Sequence, residues 1–168
     1  MNSISPTAER LLTTFGLGHK KPASGTWGSL PPVVIGGVVM LIGASNPAAR
    51  SVYDVLMILC FVVFSWACVA WGTDAEARWK KDPGQVVADE TAGQAVTLFM
   101  IPGAMFESTQ STILVLIGAF LLFRAFDILK PWPAGAMQGI RGGWGILLDD
   151  WIAGLMAGIA IWIVHLAM

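Results

Sequence analysis

The chain has 168 residues, of which 55% are hydrophobic and only 12% charged, with a net charge of −1. Soluble domains carry about a quarter charged residues, so this composition excludes an ordinary soluble domain and describes an integral membrane protein, while the near-neutral balance leaves no basic field for nucleic acid. The two cysteines, Cys60 and Cys68, lie in one apolar run, with no CxxC pair, no His/Cys cluster and no long internal repeat, which excludes structural zinc, redox and solenoid readings together.

In chain order, the first twenty residues are polar or broken by Gly and Pro and do not read as a cleavable leader. Residues 1–29 are expected to be a cytoplasmic segment ending in a glycine-rich loop, "SGTWGS" (Ser24 to Ser29), and residues 30–167 a membrane bundle, the whole of 1–168 forming one domain. A spanning helix needs about 20 mainly apolar residues. Five segments qualify or nearly so, at 30–45, 53–72, 83–101, 111–130 and 145–167. The first is short, and Pro31, Pro32 and the Gly36-Gly37 pair allow a re-entrant piece as well as a span. The third has start and stop chemistry: Asp82 as a cap, Pro83 in the first turn, Gln85 three residues after the cap, and Pro102-Gly103 as terminator. The predicted fold class is therefore all-α, a polytopic membrane helix bundle of about five membrane segments.

Positive residues are retained on the cytoplasmic side of a membrane. With the amino terminus inside, the cytoplasmic segments hold Arg10, Lys20, Lys21, Arg78, Lys80, Lys81, Lys130 and Arg141, the outer loops hold Arg50, and Arg124 lies within the fourth segment. This orientation puts Asp89 and Glu90, Asp127, and the adjacent Asp149 and Asp150 at one depth, roughly 5 to 12 Å from the cytoplasmic face at about 1.5 Å per residue. An ionisable group facing lipid costs up to about 3.5 kcal/mol at the bilayer centre, so the five acids are expected to converge inward. Arg124 and Lys130 cannot neutralise all five. A divalent metal fits the deficit, and oxygen-only ligands favour Mg²⁺, with Mn²⁺ as the alternative.

Helical spacing agrees. Asp150, Gly154 and Gly158 recur at every fourth residue, so one acid shares a face where small residues admit a neighbouring helix, and Asp89, Gly93 and Thr97 repeat the arrangement. Asp149 points about 100° away from Asp150, which makes Asp150 the more inward candidate. Arg124, Asp127 and Lys130 step by three, bringing a basic, an acidic and a basic group towards one cavity. Two glycine-rich pieces, "SGTWGS" and "GGWG" (Gly142 to Gly145), flank this zone; such backbone can present N–H groups to an anion, and "GGWG" also reads as a permissive helix connection.

"KDPGQVVADETAG" (81–93), "FRAFDILKPWP" (123–133) and "GGWGILLDDWIAG" (142–154) resemble, in order and spacing, the signature stretches of the phosphatidylglycerophosphatase A family. "ASGTWGS" (23–29) resembles its amino-terminal motif, which has proline where this chain has Ser24. The resemblance implies a bacterial inner-membrane enzyme, its site facing the cytoplasm, that removes the terminal phosphate of the phospholipid phosphatidylglycerophosphate with Mg²⁺ to give phosphatidylglycerol.

On that basis Asp89, Glu90, Asp127, Asp149 and Asp150 are expected to hold one or two Mg²⁺ ions and to include the catalytic carboxylates. Arg124 and Lys130 are the expected phosphate-binding residues, with Thr26, Ser29 and the Gly142 and Gly143 backbone as lesser candidates. The attacking group is a water or a carboxylate; the sequence does not separate them. Plainer readings stand beside these: Arg124 and Asp127 as a simple salt bridge, Lys130 as an interfacial anchor, Asp74 and Glu76 as a solvated helix start. The rival function is a small cation- or proton-coupled transporter, while neither a CDP-alcohol phosphotransferase array nor a PSGH-type phosphatase motif is present. Oligomeric state is not legible.

Overall fold

The computed structural model describes residues 4–43, 46–80, 83–137 and 139–168. Among them the chain is all-helical, with α1 Pro6–Leu12, α2 Ser24–Ile42, α3 Ala49–Trp79, α4 Ala88–Phe99, α5 Thr109–Leu129, α6 Ala134–Met137 and α7 Gly143–Ala167. Four of these, α2, α3, α5 and α7, are long and apolar enough to cross a membrane.

The third predicted segment, now α4, departs from expectation. Its twelve residues form only about 18 Å of helix, against a hydrocarbon layer of about 30 Å. Packing explains the tolerance: α4 is buried in the middle of the bundle, and irregular backbone is admissible in a membrane when protein surrounds it. The expected helix over 83–101 therefore contracts to Ala88–Phe99. Pro83 to Val87 run instead as a strap: the Val86 N–H closes a turn on Pro83 O at 2.8 Å, the Val87 N–H donates to Leu12 O at 2.9 Å, and Thr14 donates to Val87 O at 3.3 Å. Backbone groups satisfied by the amino-terminal region have no need of a helix. The expected Asp82 cap, and Lys81 of the charge tally, lie outside the described residues.

A second correction concerns "SGTWGS", which is the opening of α2 and not a loop, so the expected boundary at residue 29 falls inside a helix. A continuous helix of 19 residues also replaces the re-entrant alternative. Pro31 and Pro32 sit within it without N–H groups to donate. Pro32 leaves Gly28 O without its helical donor, and the Thr91 hydroxyl of α4 lies 2.8 Å from that oxygen. Glycine here serves close approach: a Cβ on Gly28 would stand 2.5 Å from the Val87 Cβ.

α3 is longer than its predicted 53–72, reaching Trp79. Asp74 and Glu76, expected as a solvated helix start, occupy its last turns, where Arg78 pairs with Glu9 of α1 at 3.0 Å and Glu76 accepts the Gly142 N–H at 3.0 Å. The two small-residue seams, each expected to admit a neighbouring helix, face one another: a Cβ on Gly93 would meet Asp150 O at 2.5 Å, and Thr97 donates to Gly154 O at 3.1 Å. The starts of α2, α4 and α7 and the ends of α3 and α5 thus gather at one end of the bundle.

Candidate active site

At that end, α4 contributes Asp89 and Glu90 in its first turn, α5 contributes Arg124 and Asp127 in its last turns, and α7 contributes Asp149 and Asp150 two turns in. Lys130, the residue after α5, stands in the left-handed region with φ 42° as the chain turns towards Pro131. All four aspartates are buried, Asp150 most deeply at 2% exposure.

The five carboxylates divide into two groups. Oxygens of Asp89, Glu90 and Asp150 all lie within 4.8 Å of one another. Asp127 and Asp149 are engaged by cations: Arg124 Nη1 pairs with Asp127, and Lys130 Nζ pairs with Asp149 while standing 3.6 Å from Asp127 and 3.6 Å from Asp150. Burial pushes the Lys130 amine down, but the charges of Asp150, Asp149 and Asp127 outweigh it and hold the amine above its usual range. Lys130 is therefore an inward-facing ammonium and not a headgroup anchor.

Two cations against five carboxylates leave an excess of buried negative charge, which is costly unless matched. The donor set fits a hard divalent ion: the atoms are carboxylate oxygens alone, and Asp89 Oδ1 and Glu90 Oε2 are buried with no hydrogen-bond partner among the described residues. Oxygens on one Mg²⁺ lie roughly 3 to 4 Å apart, and those of the three side chains lie within 4.8 Å of one another.

The remaining predicted residues are placed unequally. Ser29 belongs to the site: its hydroxyl donates to Gly25 O at 2.7 Å and lies 3.4 Å from Arg124 Nη1. Thr26 is half-buried in the first turn of α2. The Gly142 and Gly143 backbone packs against α3: the Gly142 N–H donates to the Glu76 carboxylate at 3.0 Å, and a Cβ on Gly72 would stand 2.5 Å from Gly143 Cα. Two residues near the cluster are not among the individually named candidates, although the first belongs to the glycine-rich stretch. Gly25 is one, lying so close to the site that a Cβ there would collide with Glu90 Oε1 and stand 2.9 Å from Arg124 Nη1. Gln94 is the other, fully buried one turn beyond Glu90; its signal was the four-residue spacing from that acid.

Fold and site define a multi-pass membrane protein with a buried acid and base cluster at one end of its bundle. Residues 10–165 match the family model described as Phosphatidylglycerophosphatase A, and the chain belongs to that family of phosphatases. A Haemophilus influenzae protein named phosphatidylglycerophosphatase A is 31% identical over 157 residues, covering 92% of this chain and 86% of that protein. Its Escherichia coli namesake is 29% identical over 157 residues, covering 92% and 82%. A Bacteroides thetaiotaomicron protein, provisionally named a phosphatidylinositol-3-phosphatase, is 30% identical over 156 residues, covering 90% and 92%. No solved structure matches the chain.

Proposed function

We propose that the protein hydrolyses the terminal phosphomonoester of phosphatidylglycerophosphate, giving phosphatidylglycerol and inorganic phosphate, with Mg²⁺, at the cytoplasmic face of a bacterial inner membrane during phospholipid biosynthesis. The observation that carries this reading is the meeting of Asp89, Glu90 and Asp150 with Arg124 and Lys130 at one end of the bundle, where this reading sets the headgroup of the lipid. The relatives' names support the class of substrate: both name phosphomonoesters on a hydroxylated lipid headgroup.

In this reading Asp89, Glu90 and Asp150 hold the metal, which when bound supplies charge neutralisation for the phosphate oxygens. Arg124, kept in place by Asp127 and Ser29, binds the phosphate through its planar guanidinium, and Lys130 adds a point charge beside it. A water attacks phosphorus and a neighbouring carboxylate takes its proton; the bond from phosphorus to the headgroup oxygen breaks, and the proton returned from the carboxylate makes that oxygen the alcohol. A transporter reading gains nothing, because transport sites of this kind lie at midplane and these acids lie at the helix ends.

The test is phosphate release by the purified protein from phosphatidylglycerophosphate with Mg²⁺ and with EDTA. Release that requires the metal is expected. Equal release in EDTA would overturn the metal assignment, and no release with Mg²⁺ would overturn the substrate assignment.

A further inference from the structure

Gln94 is fully buried on α4, and neither its Oε1 nor its Nε2 has a hydrogen-bond partner among the described residues. Leaving an amide buried in this way costs of the order of a few kcal/mol. Four residues earlier on the same face stands Glu90 and four later Leu98, which belongs to the apolar core, so Gln94 marks the step from site to hydrocarbon. The Glu90 face meets Gly25 and Arg124. Two more buried atoms there, Glu90 Oε2 and Arg124 Nε, also lack partners among the described residues. Several buried polar atoms of α4 and α5 are thus left without a hydrogen-bond partner among the described residues.

The chemistry of the amide narrows what partner suits it. A phosphate or carboxylate oxygen accepts from Nε2 and leaves Oε1 unmatched, and a cation does the reverse. A hydroxyl serves both, donating to Oε1 and accepting from Nε2. We propose that Gln94 is a binding residue for a hydroxyl group in the site, a reading that rests on the phosphatase function above. The hydroxyl has two sources: the free hydroxyl of the lipid's glycerol headgroup, or the water that attacks phosphorus.

Gln94→Leu keeps the volume and removes both polar atoms, with Gln94→Met as the second variant should the first not fold. Each is assayed with Mg²⁺ on phosphatidylglycerophosphate and on phosphatidate, a phosphomonoester lipid without a headgroup hydroxyl, alongside its unfolding midpoint in detergent. A headgroup contact lowers kcat/KM about tenfold or more on the first lipid and leaves the second unchanged. A water contact lowers kcat on both by the same factor with an unlowered midpoint. Unchanged rates on both lipids, or losses on both that track a lowered midpoint in both variants, overturn the proposal. If the wild type releases phosphate from neither lipid, it is the phosphatase reading that fails. Gln94 is then judged by thermal shift with glycerol 1-phosphate and Mg²⁺: a larger rise in wild type than in Gln94→Leu supports the hydroxyl contact, and an equal rise overturns it.

Discussion

Lys130, just past the end of α5, pairs its ammonium with Asp149 of α7, and so ties two spanning helices together at the mouth of the acid cluster. Because the same ammonium stands 3.6 Å from Asp127 and 3.6 Å from Asp150, its removal leaves three carboxylates undercompensated. Lys130→Gln is expected to destabilise the protein by about 2 to 3 kcal/mol, below the roughly 3 to 5 kcal/mol for one side of a fully buried pair because the Lys130 side chain is 25% exposed. Phosphate release should fall about a hundredfold, with Lys130→Arg recovering stability better than rate, since a planar fork cannot replace a point charge. Thermal unfolding in detergent and turnover, measured on the same preparations, check both.

Asp149 and Asp150 adjoin in sequence but belong to different groups, so their asparagine variants should fail differently. Asp150→Asn removes a ligand of the proposed metal set and is expected to shift the Mg²⁺ dependence of turnover to higher concentration while cutting the maximum about a hundredfold or more. Asp149→Asn weakens the partner of Lys130 and should lower the unfolding midpoint with an unshifted Mg²⁺ dependence. A Mg²⁺ titration of each variant decides the matter; identical curves would mean the division of the acids is wrong.

Gly93 and Gly118 offer a matched pair of substitutions. A Cβ on Gly93 would stand 2.5 Å from Asp150 O and 2.7 Å from the Phe123 ring, whereas one on Gly118 has nothing within 4 Å. Gly93→Ala is expected to force α4 and α7 apart, costing about 1 to 3 kcal/mol and most of the activity. Gly118→Ala should be neutral or mildly stabilising, by up to about 1 kcal/mol, through helix propensity. Unfolding midpoints of the two variants test this directly.

Thr91 supplies the hydroxyl beside Gly28 O, and that oxygen has lost its helical donor to Pro32. Thr91→Val keeps the shape and leaves a buried carbonyl short of a donor, an expected loss of about 1 to 3 kcal/mol. Thr91→Ser should restore most of it. The comparison of midpoints is the check, and a valine variant as stable as the serine one would sink the assignment.

How far the sequence could be read depended on whether a feature was local. α3, α5 and α7 are long apolar runs, and a run of that length has one outcome in a bilayer. The gathering of five acids was legible too, because the cost of exposing them to lipid leaves only inward directions. The start of α4 was not: Pro83 and Gln85 carry the local marks of a helix start, but the Val87 N–H donates to Leu12 O, distant in sequence. Nor was the role of Gly25 and Gly28, since a glycine kept for close packing and one kept for a turn look alike in one dimension. The separation of Asp127 and Asp149 from the other acids depends on where a lysine in the left-handed region sends its side chain, and spacing does not encode that.

The strap from Pro83 to Val87 bears on how the protein sits in lipid bilayers of different thickness. Val87, two residues before Asp89, is hydrogen-bonded to Leu12 of α1, outside the spanning helices, and Ser24 holds Gly84 O at 2.6 Å from the start of α2. Helices that float in lipid answer mismatch by tilting or sliding. α4 is instead tied through this strap to α1 and to the first residue of α2, so the position of Asp89 and Glu90 along the bundle is fixed from that end by the protein's own backbone.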